Sequence, residues 1–242
     1  MPGISAGLGG QVNNNIQTTG LVGYWDPAYK KSYPRTGTTW FDLSGFENDG
    51  TLSGSPTFST SNGGVFDFDG TDDRSNHGDD TSLDITSTIT LSIWVNFDTN
   101  GTPSCQLIGR DAVGTSNRSY EIMGYNGDGL IYYQNWTGGT NNYVAWDNGT
   151  WQSGVWYCLT ATYDGSYDRI YLNGVLNCTP HAHTGDIDNN DVSFIIGSGP
   201  DASGAEVRYV NGQFGPALVY NRALSAGEVL QNYNAQKQRF GV

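Results

Sequence analysis

The stretch Trp156–Val175, WYCLTATYDGSYDRIYLNGV, decides the fold. Two alternating runs, Trp156–Tyr163 and Arg169–Asn173, flank a turn containing Asp164-Gly165. A strand repeats every two residues, so Leu159, Ala161 and Tyr163 share one face of the first run, and Ile170 and Leu172 share one face of the second. Asn173-Gly174 supplies a further tight turn. The stretch is therefore a β-hairpin, and the chain before it keeps the same rhythm. In Ile89–Phe97, ITLSIWVNF, Leu91, Ile93, Val95 and Phe97 point one way while Ser92, Trp94 and Asn96 point the other, as in an inner strand of a sandwich. Val65–Asp69 puts Phe66 and Phe68 on one face, and Leu107–Arg110, Tyr120–Tyr125 and Leu130–Tyr133 continue the pattern, with Asn126-Gly127-Asp128-Gly129 as a hairpin turn.

The totals agree with many short strands joined by tight turns: 34 glycines, 15 tyrosines and 7 tryptophans in 242 residues, with 14% charged residues. A chain of this length fits one sandwich domain with a sizeable core. The net charge of −13 is carried mostly by aspartate, the glutamates being only Glu47, Glu121, Glu206 and Glu228. Phosphate binding needs a cationic footprint, so this balance argues against a nucleic-acid partner. Cys105, Cys158 and Cys178 allow at most one disulfide and match no zinc spacing. No run approaches the ~18 apolar residues of a membrane span. The opening MPGISAGLGGQVNNNIQTTG lacks the cationic start and apolar core of a secretory signal, which predicts synthesis in a cytoplasm without a signal peptide.

Residues 1–20, rich in Gly, Asn and Gln, read as an arm that is extended or ordered by a partner, and residues 21–242 read as one domain. Leu21–Trp25 is its first strand, and Gln213–Tyr220 the last, pairing back near the first. One helix is predicted, over about 226–236: Ser225 and Glu228 make a capping box, Leu224 and Val229 a hydrophobic staple. The order of GLVGYWDP (20–27), SYP (32–34), TTWFDLSG (38–45), NDGTL (48–52), FDGTD (68–72), TYDGS (162–166), RIYLNGV (169–175) and YNRALSAGEVLQNYN (220–234) resembles the concanavalin A-like, laminin G-like jelly-roll modules, especially those of tailed-phage virions. The resemblance implies an all-β sandwich of two curved antiparallel sheets with a short C-terminal helix. It also implies a multicopy, non-enzymatic protein of the virion surface, such as a capsid decoration, head fibre or tail appendage. Other virion proteins would hold it through the arm, and cell-surface glycans would meet its loops.

Chemistry on such a fold falls into three classes. Sandwich glucanases carry E-x-D-x-x-E on one strand, and none of the four glutamates begins that pattern; no Gly-x-Ser-x-Gly elbow is present either. Sugar sites set aromatic faces against the ring and fix hydroxyls with amides and carboxylates. Residues 132–151 have that composition, and Asn135, Trp136, Tyr143, Trp146 and Trp151, with Trp94 on the face opposite the core residues of its strand, are the candidate carbohydrate ligands. Calcium needs six to eight oxygens, and pentraxin relatives of the fold gather them on loops. The corresponding candidates are Asp111 and Asn117, Asp201 and Glu206, and the Asp72-Asp73 turn. His181-Ala-His183 would place two imidazoles on one strand face with Asp186 nearby, too few ligands for a site, and reads as a solvated loop. A free-standing carbohydrate-binding lectin, calcium-dependent or not, is the alternative to the virion module, and a polysaccharide hydrolase comes third.

Overall fold

Alternating apolar side chains cannot be buried by one sheet alone, and here two antiparallel sheets close on each other. The computed structural model describes residues 15–98, 104–111, 118–125, 129–147, 149–200, 203, 205 and 207–242. In chain order the strands are β1 (Leu21–Trp25), β2 (Thr39–Trp40), β3 (Gly50–Ser53), β4 (Thr57–Ser59), β5 (Val65–Asp69), β6 (Arg74–Asn76), β7 (Ile89–Phe97), β8 (Cys105–Asp111) and β9 (Arg118–Tyr125). They continue as β10 (Leu130–Thr137), β11 (Thr140–Ala145), β12 (Trp156–Tyr163), β13 (Tyr167–Leu172), β14 (Val175–Leu176), β15 (His181–Ala182), β16 (Ile195–Ile196) and β17 (Asn211–Tyr220), before helix α1 (Ala226–Gln236). A nine-stranded sheet runs β14-β13-β12-β7-β17-β5-β4, with β1 on β17 and β15 on β13; an eight-stranded sheet runs β11-β10-β9-β8-β16-β6-β3-β2. This is the expected jelly roll, including the return of β17 to β1, where Leu21 faces Tyr220 and Trp25 faces Ala217.

The hairpin from which the fold was read stands as β12 and β13, with Leu159 opposite Leu172 and Ala161 opposite Ile170. Leu159, Ala161, Tyr163 and Ile170 all enter the main core, with Leu172 packed against it. Asn173 (φ 50°) and Gly174 (φ 80°) both take the left-handed region, the geometry that a two-residue hairpin turn demands. From the facing sheet, Tyr120, Ile122, Ile131, Tyr133 and Val144 meet Leu91, Ile93, Val95 and Phe97 of β7. The three cysteines are buried free thiols.

Helix α1 begins as predicted: Ser225 accepts from the Glu228 N–H, Glu228 reaches back to the Ser225 N–H, and Leu224 and Val229 pack in one cluster. It lies outside the nine-stranded sheet. Phe240, beyond its end, stacks on Trp94 at 4.1 Å between ring centres, and the Trp94 indole N–H donates to Gln236 Oε1 at 2.7 Å. Part of the arm belongs to this layer as well. The Gln17 N–H donates to Asn232 Oδ1 (2.7 Å), the Tyr220 hydroxyl donates to the Gln17 carbonyl (2.9 Å), and Ile16 packs on the helix cluster. Residues 16 and 17 thus pack against their own chain; residues 1–14 lie outside the described part. Among the described residues no helix is long and apolar enough to cross a membrane.

One buried group links the core to pH. His77 is 4% exposed, with its ring 4.2 Å from that of Trp25 and 5.8 Å from that of Phe194. Burial drives its pKa from 6.5 down to about 4, while its contact with the Asn48 carbonyl pulls weakly the other way. Between pH 4 and pH 6.5 the unfolded chain therefore binds the proton that the folded chain refuses. The His77 contribution is complete above the upper value and falls by about 3 kcal/mol toward the lower one. Urea unfolding of His77→Gln across that window should show a pH slope about one proton flatter than that of the natural chain. Equal slopes would contradict a ring buried neutral.

Candidate functional site

The covering of one outer face leaves the other to be read. On β9, β10 and β11 the residues between the core positions point away from the core. Pairing sets them in rows, Glu121 beside Gln134 beside Tyr143 and Met123 beside Tyr132 beside Ala145, with Tyr125 at the end of β9. Gln106 of β8 pairs with Met123, and Asp111 with Arg118. Of these, Arg118, Met123, Tyr125, Tyr132, Gln134 and Tyr143 line a cleft of about 380 Å³, together with Ser104, Asn141 and Arg208.

The floor of the cleft is a buried ion network. Glu121 and Asp111 are wholly buried. Arg208, in the segment before β17, donates from Nη1 to Glu121 Oε2 (2.8 Å) and Oε1 (3.1 Å), and from Nη2 to Gln106 Oε1 (2.9 Å) and the Asp111 carbonyl (3.2 Å). Arg118 grips Asp111 with two parallel bonds, Nε to Oδ1 at 2.9 Å and Nη2 to Oδ2 at 2.8 Å. The Gln134 amide donates to Glu121, and its oxygen accepts from Asn141 Nδ2 at 3.3 Å. Burial, then the nearby Glu121 charge, raises the pKa of Asp111, and Arg118 and Arg208 oppose the rise. Two carboxylates matched by two guanidiniums make a neutral, hydrogen-bonding floor.

Aromatic rings stand around it. Tyr125 and Tyr143 are 45% and 56% exposed. Tyr132 lies edge-on between them, 6.2 Å from Tyr125 and 6.0 Å from Tyr143. The Trp136 ring lies under the Arg118 guanidinium at 3.8 Å. Exposed rings beside amides and a half-open guanidinium can hold a flat, hydroxylated ligand by its apolar face and its oxygens together.

Of the predicted carbohydrate residues, the structure brings only Tyr143 and Trp136 to this face, and Trp136 is buried with Arg118 across its ring. Trp94 lines no open face, because it lies wholly buried on the other sheet beneath Phe240. Trp146 and Trp151 are core, against Tyr157 (5.6 Å) and stacked on Phe97 (4.9 Å). Asn135 points inward and donates to Asp168 Oδ1 at 2.7 Å. Their composition suited a sugar site, but parity turns Asn135 inward, the C-terminal segment covers Trp94, and Trp146 and Trp151 lie beyond the strand ends in the core. Sequence reasoning missed Arg118, Met123, Tyr125 and Arg208; the signal for Met123 and Tyr125 was the alternation in Tyr120–Tyr125. Arg208 carries no such signal, since the pairing that brings it to β8 and β9 is non-local.

Of the calcium candidates, Asp111 is committed to two guanidiniums and presents no free oxygen pair to an ion. Asn117, Asp201 and Glu206 lie outside the described residues. Asp72 and Asp73 join Asp69, with carboxylate oxygens all within 4.8 Å of one another. Burial and these neighbours raise the pKa of Asp73, while its bond from the Asp69 N–H lowers it. Three carboxylates offer fewer oxygens than calcium takes, so loop carbonyls or water would have to complete the shell.

The family model of the concanavalin A-like lectin/glucanases superfamily (Laminin_G_3) matches residues 69–230. The receptor binding domain of botulinum neurotoxin C/D mosaic serotype superposes with a TM-score of 0.69 at 13% identity, over 91% of this chain and 52% of that one. The ligand binding domain of botulinum neurotoxin serotype D, solved in complex with N-acetylneuraminic acid, gives 0.69 at 12% identity, over 90% and 52%. Trypanosoma rangeli sialidase in complex with sialic acid gives 0.66 at 18% identity, over 98% and 36%. The chain spans about half of the toxin structures and about a third of the sialidase, and at these identities the likeness is one of fold. A sequence search of the curated proteins finds no match.

The buried network sets a stability test. Removing one partner of a buried ion pair leaves an uncompensated charge, so Arg208→Met should cost about 3–5 kcal/mol in urea unfolding. Adding Glu121→Gln to Arg208→Met should recover much of that loss, whereas additive losses would show that the two groups do not act together. With about two thirds of its length covered by the family model, the chain belongs to the concanavalin A-like lectin/glucanases superfamily.

Proposed function

We propose that the chain is a non-catalytic carbohydrate-binding module whose glycan lies on the outer face of the eight-stranded sheet. The observation that carries this reading is the cleft in which Tyr125, Tyr132 and Tyr143 rise beside Gln134, Asn141 and Arg118 over a charge-neutral floor. The ligands named for two of the fold relatives, N-acetylneuraminic acid and sialic acid, support a sugar as the ligand class. The non-catalytic part rests on the carboxylates. Hydrolysis normally needs one carboxyl group free to donate a proton and another free to attack or activate water. Here Asp111 and Glu121 share Arg208, and Arg118 holds Asp111 as well.

The setting we propose is the surface of a tailed-phage particle, where the module decorates a head, head fibre or tail appendage. Its support is the resemblance in the order of the opening motifs, Gly20–Leu52, with the residues before Asn15 as the attachment segment. Many copies on one particle would make weak single sites sufficient.

A glycan array followed by calorimetry on the best hit tests the reading. Tyr143→Ala should weaken binding about tenfold, the loss expected from exposing one ring's contact area. Trp94→Phe should leave affinity unchanged, and binding should survive a calcium chelator because the face uses no metal ligand. Turnover of the oligosaccharide, or binding indifferent to Tyr143, would contradict the proposal.

A further inference from the structure

The β13–β15 edge carries a second cluster. Register places His181 directly opposite Asp168, and strand parity puts His183, two residues on, on the same side. Asp168 is wholly buried and His183 is nearly so, its side chain 9% exposed. The His183 ring stacks flat on Tyr163, 4.4 Å between centres and 4° between planes, and the His181 ring lies 5.7 Å away. The expected solvated loop is thus half wrong: His181 is exposed, but His183 is packed.

Two features set this apart from an ordinary ion pair. His183 Nε2 comes within 2.9 Å of Asp168 Oδ2, yet neither atom has a partner in hydrogen-bond geometry, and His183 Nδ1 has none either. Two ligands each about 2.1 Å from one ion, at 90–109°, stand about 3.0–3.4 Å apart without pointing at each other. The near contact is thus close to what a shared ion would require. Asp168 is also oriented from behind, its other oxygen accepting from Asn135 Nδ2 at 2.7 Å. That is the role outer-shell partners play around metal ligands.

We propose that Asp168, His183 and His181 form a site for a borderline divalent transition metal of the zinc class, with water completing the shell. Two imidazoles and one carboxylate suit Zn²⁺, Ni²⁺ or Co²⁺ rather than calcium, which takes oxygen. His181, exposed and with its ring 5.7 Å from that of His183, would turn toward the other two to join them on the ion. The ion would tie β15 to β13 and hold the start of the following loop, where the Tyr163 hydroxyl already donates to the Gly185 carbonyl at 2.7 Å.

Calorimetry and thermal melts of the untagged full chain with ZnCl₂ and NiCl₂ test it. His77 is buried away from solvent, so His181 and His183 are the histidines that an added ion can reach. One ion per chain should bind and raise Tm, and His181→Asn, a change at an exposed residue, should weaken binding roughly tenfold or more. The Cu²⁺-loaded protein should show two coordinated nitrogens by electron paramagnetic resonance. No binding at any metal, or binding and spectra unchanged in His181→Asn, would overturn the proposal; in the latter case the ion sits elsewhere, as at Asp69, Asp72 and Asp73.

Discussion

A β-strand repeats every two residues, so a sandwich of two sheets buries two faces and leaves two outside. What covers each outer face then governs what the protein can do. On the nine-stranded sheet the outer face is occupied by the chain's own end, where Tyr233, Gln236 and Phe240 close over Trp94 and Trp156. On the eight-stranded sheet, among the described residues, no helix lies over β9–β11, and the cleft forms there. The aromatic residues therefore divide by parity rather than by abundance: those on inner positions build the core, while on outer positions of β9–β11 Tyr125, Tyr132 and Tyr143 line the cleft and Trp136 is covered by Arg118.

The open face could not stay ordered with bare side chains alone. Arg208 reaches it from a distant segment and joins Gln106, Glu121 and Asp111, while Arg118 clamps Asp111 and covers Trp136. Each buried charge meets an opposite one, which offsets the desolvation cost that either would carry alone. The result is a stiff, neutral floor with amide edges directed outward. Rings fixed on a stiff floor lose little freedom when a ligand arrives, which favours recognition by pre-organisation. The same network holds both carboxylates in ion pairs with Arg118 and Arg208, so they serve the floor rather than standing free in the cleft.

The fold was legible because its signals are local. Alternation in Ile89–Phe97 and Trp156–Val175, the Asn173-Gly174 turn and the Ser225–Glu228 cap each specify their own neighbourhood. The outer face was only partly legible. Tyr143 was identified from composition, but Trp94 was misassigned because parity shows that a side chain leaves the core, not what then covers it. Trp146 and Trp151 lie outside the strands, where no alternation sets their direction, and they pack inward. Arg208 and Asp168 acquire their meaning from pairings across 87 and 33 residues, to Glu121 and Asn135, and a single sequence does not display such pairings.

Mapping backbone amide shifts by nuclear magnetic resonance while titrating the best-binding oligosaccharide tests the central claim most directly. The account predicts that the largest shifts fall on the outward positions of β9, β10 and β11, around Glu121, Met123, Gln134 and Tyr143. Shifts centred on Trp94 and the C-terminal helix, or on the Asp69–Asp73 turn, would contradict it.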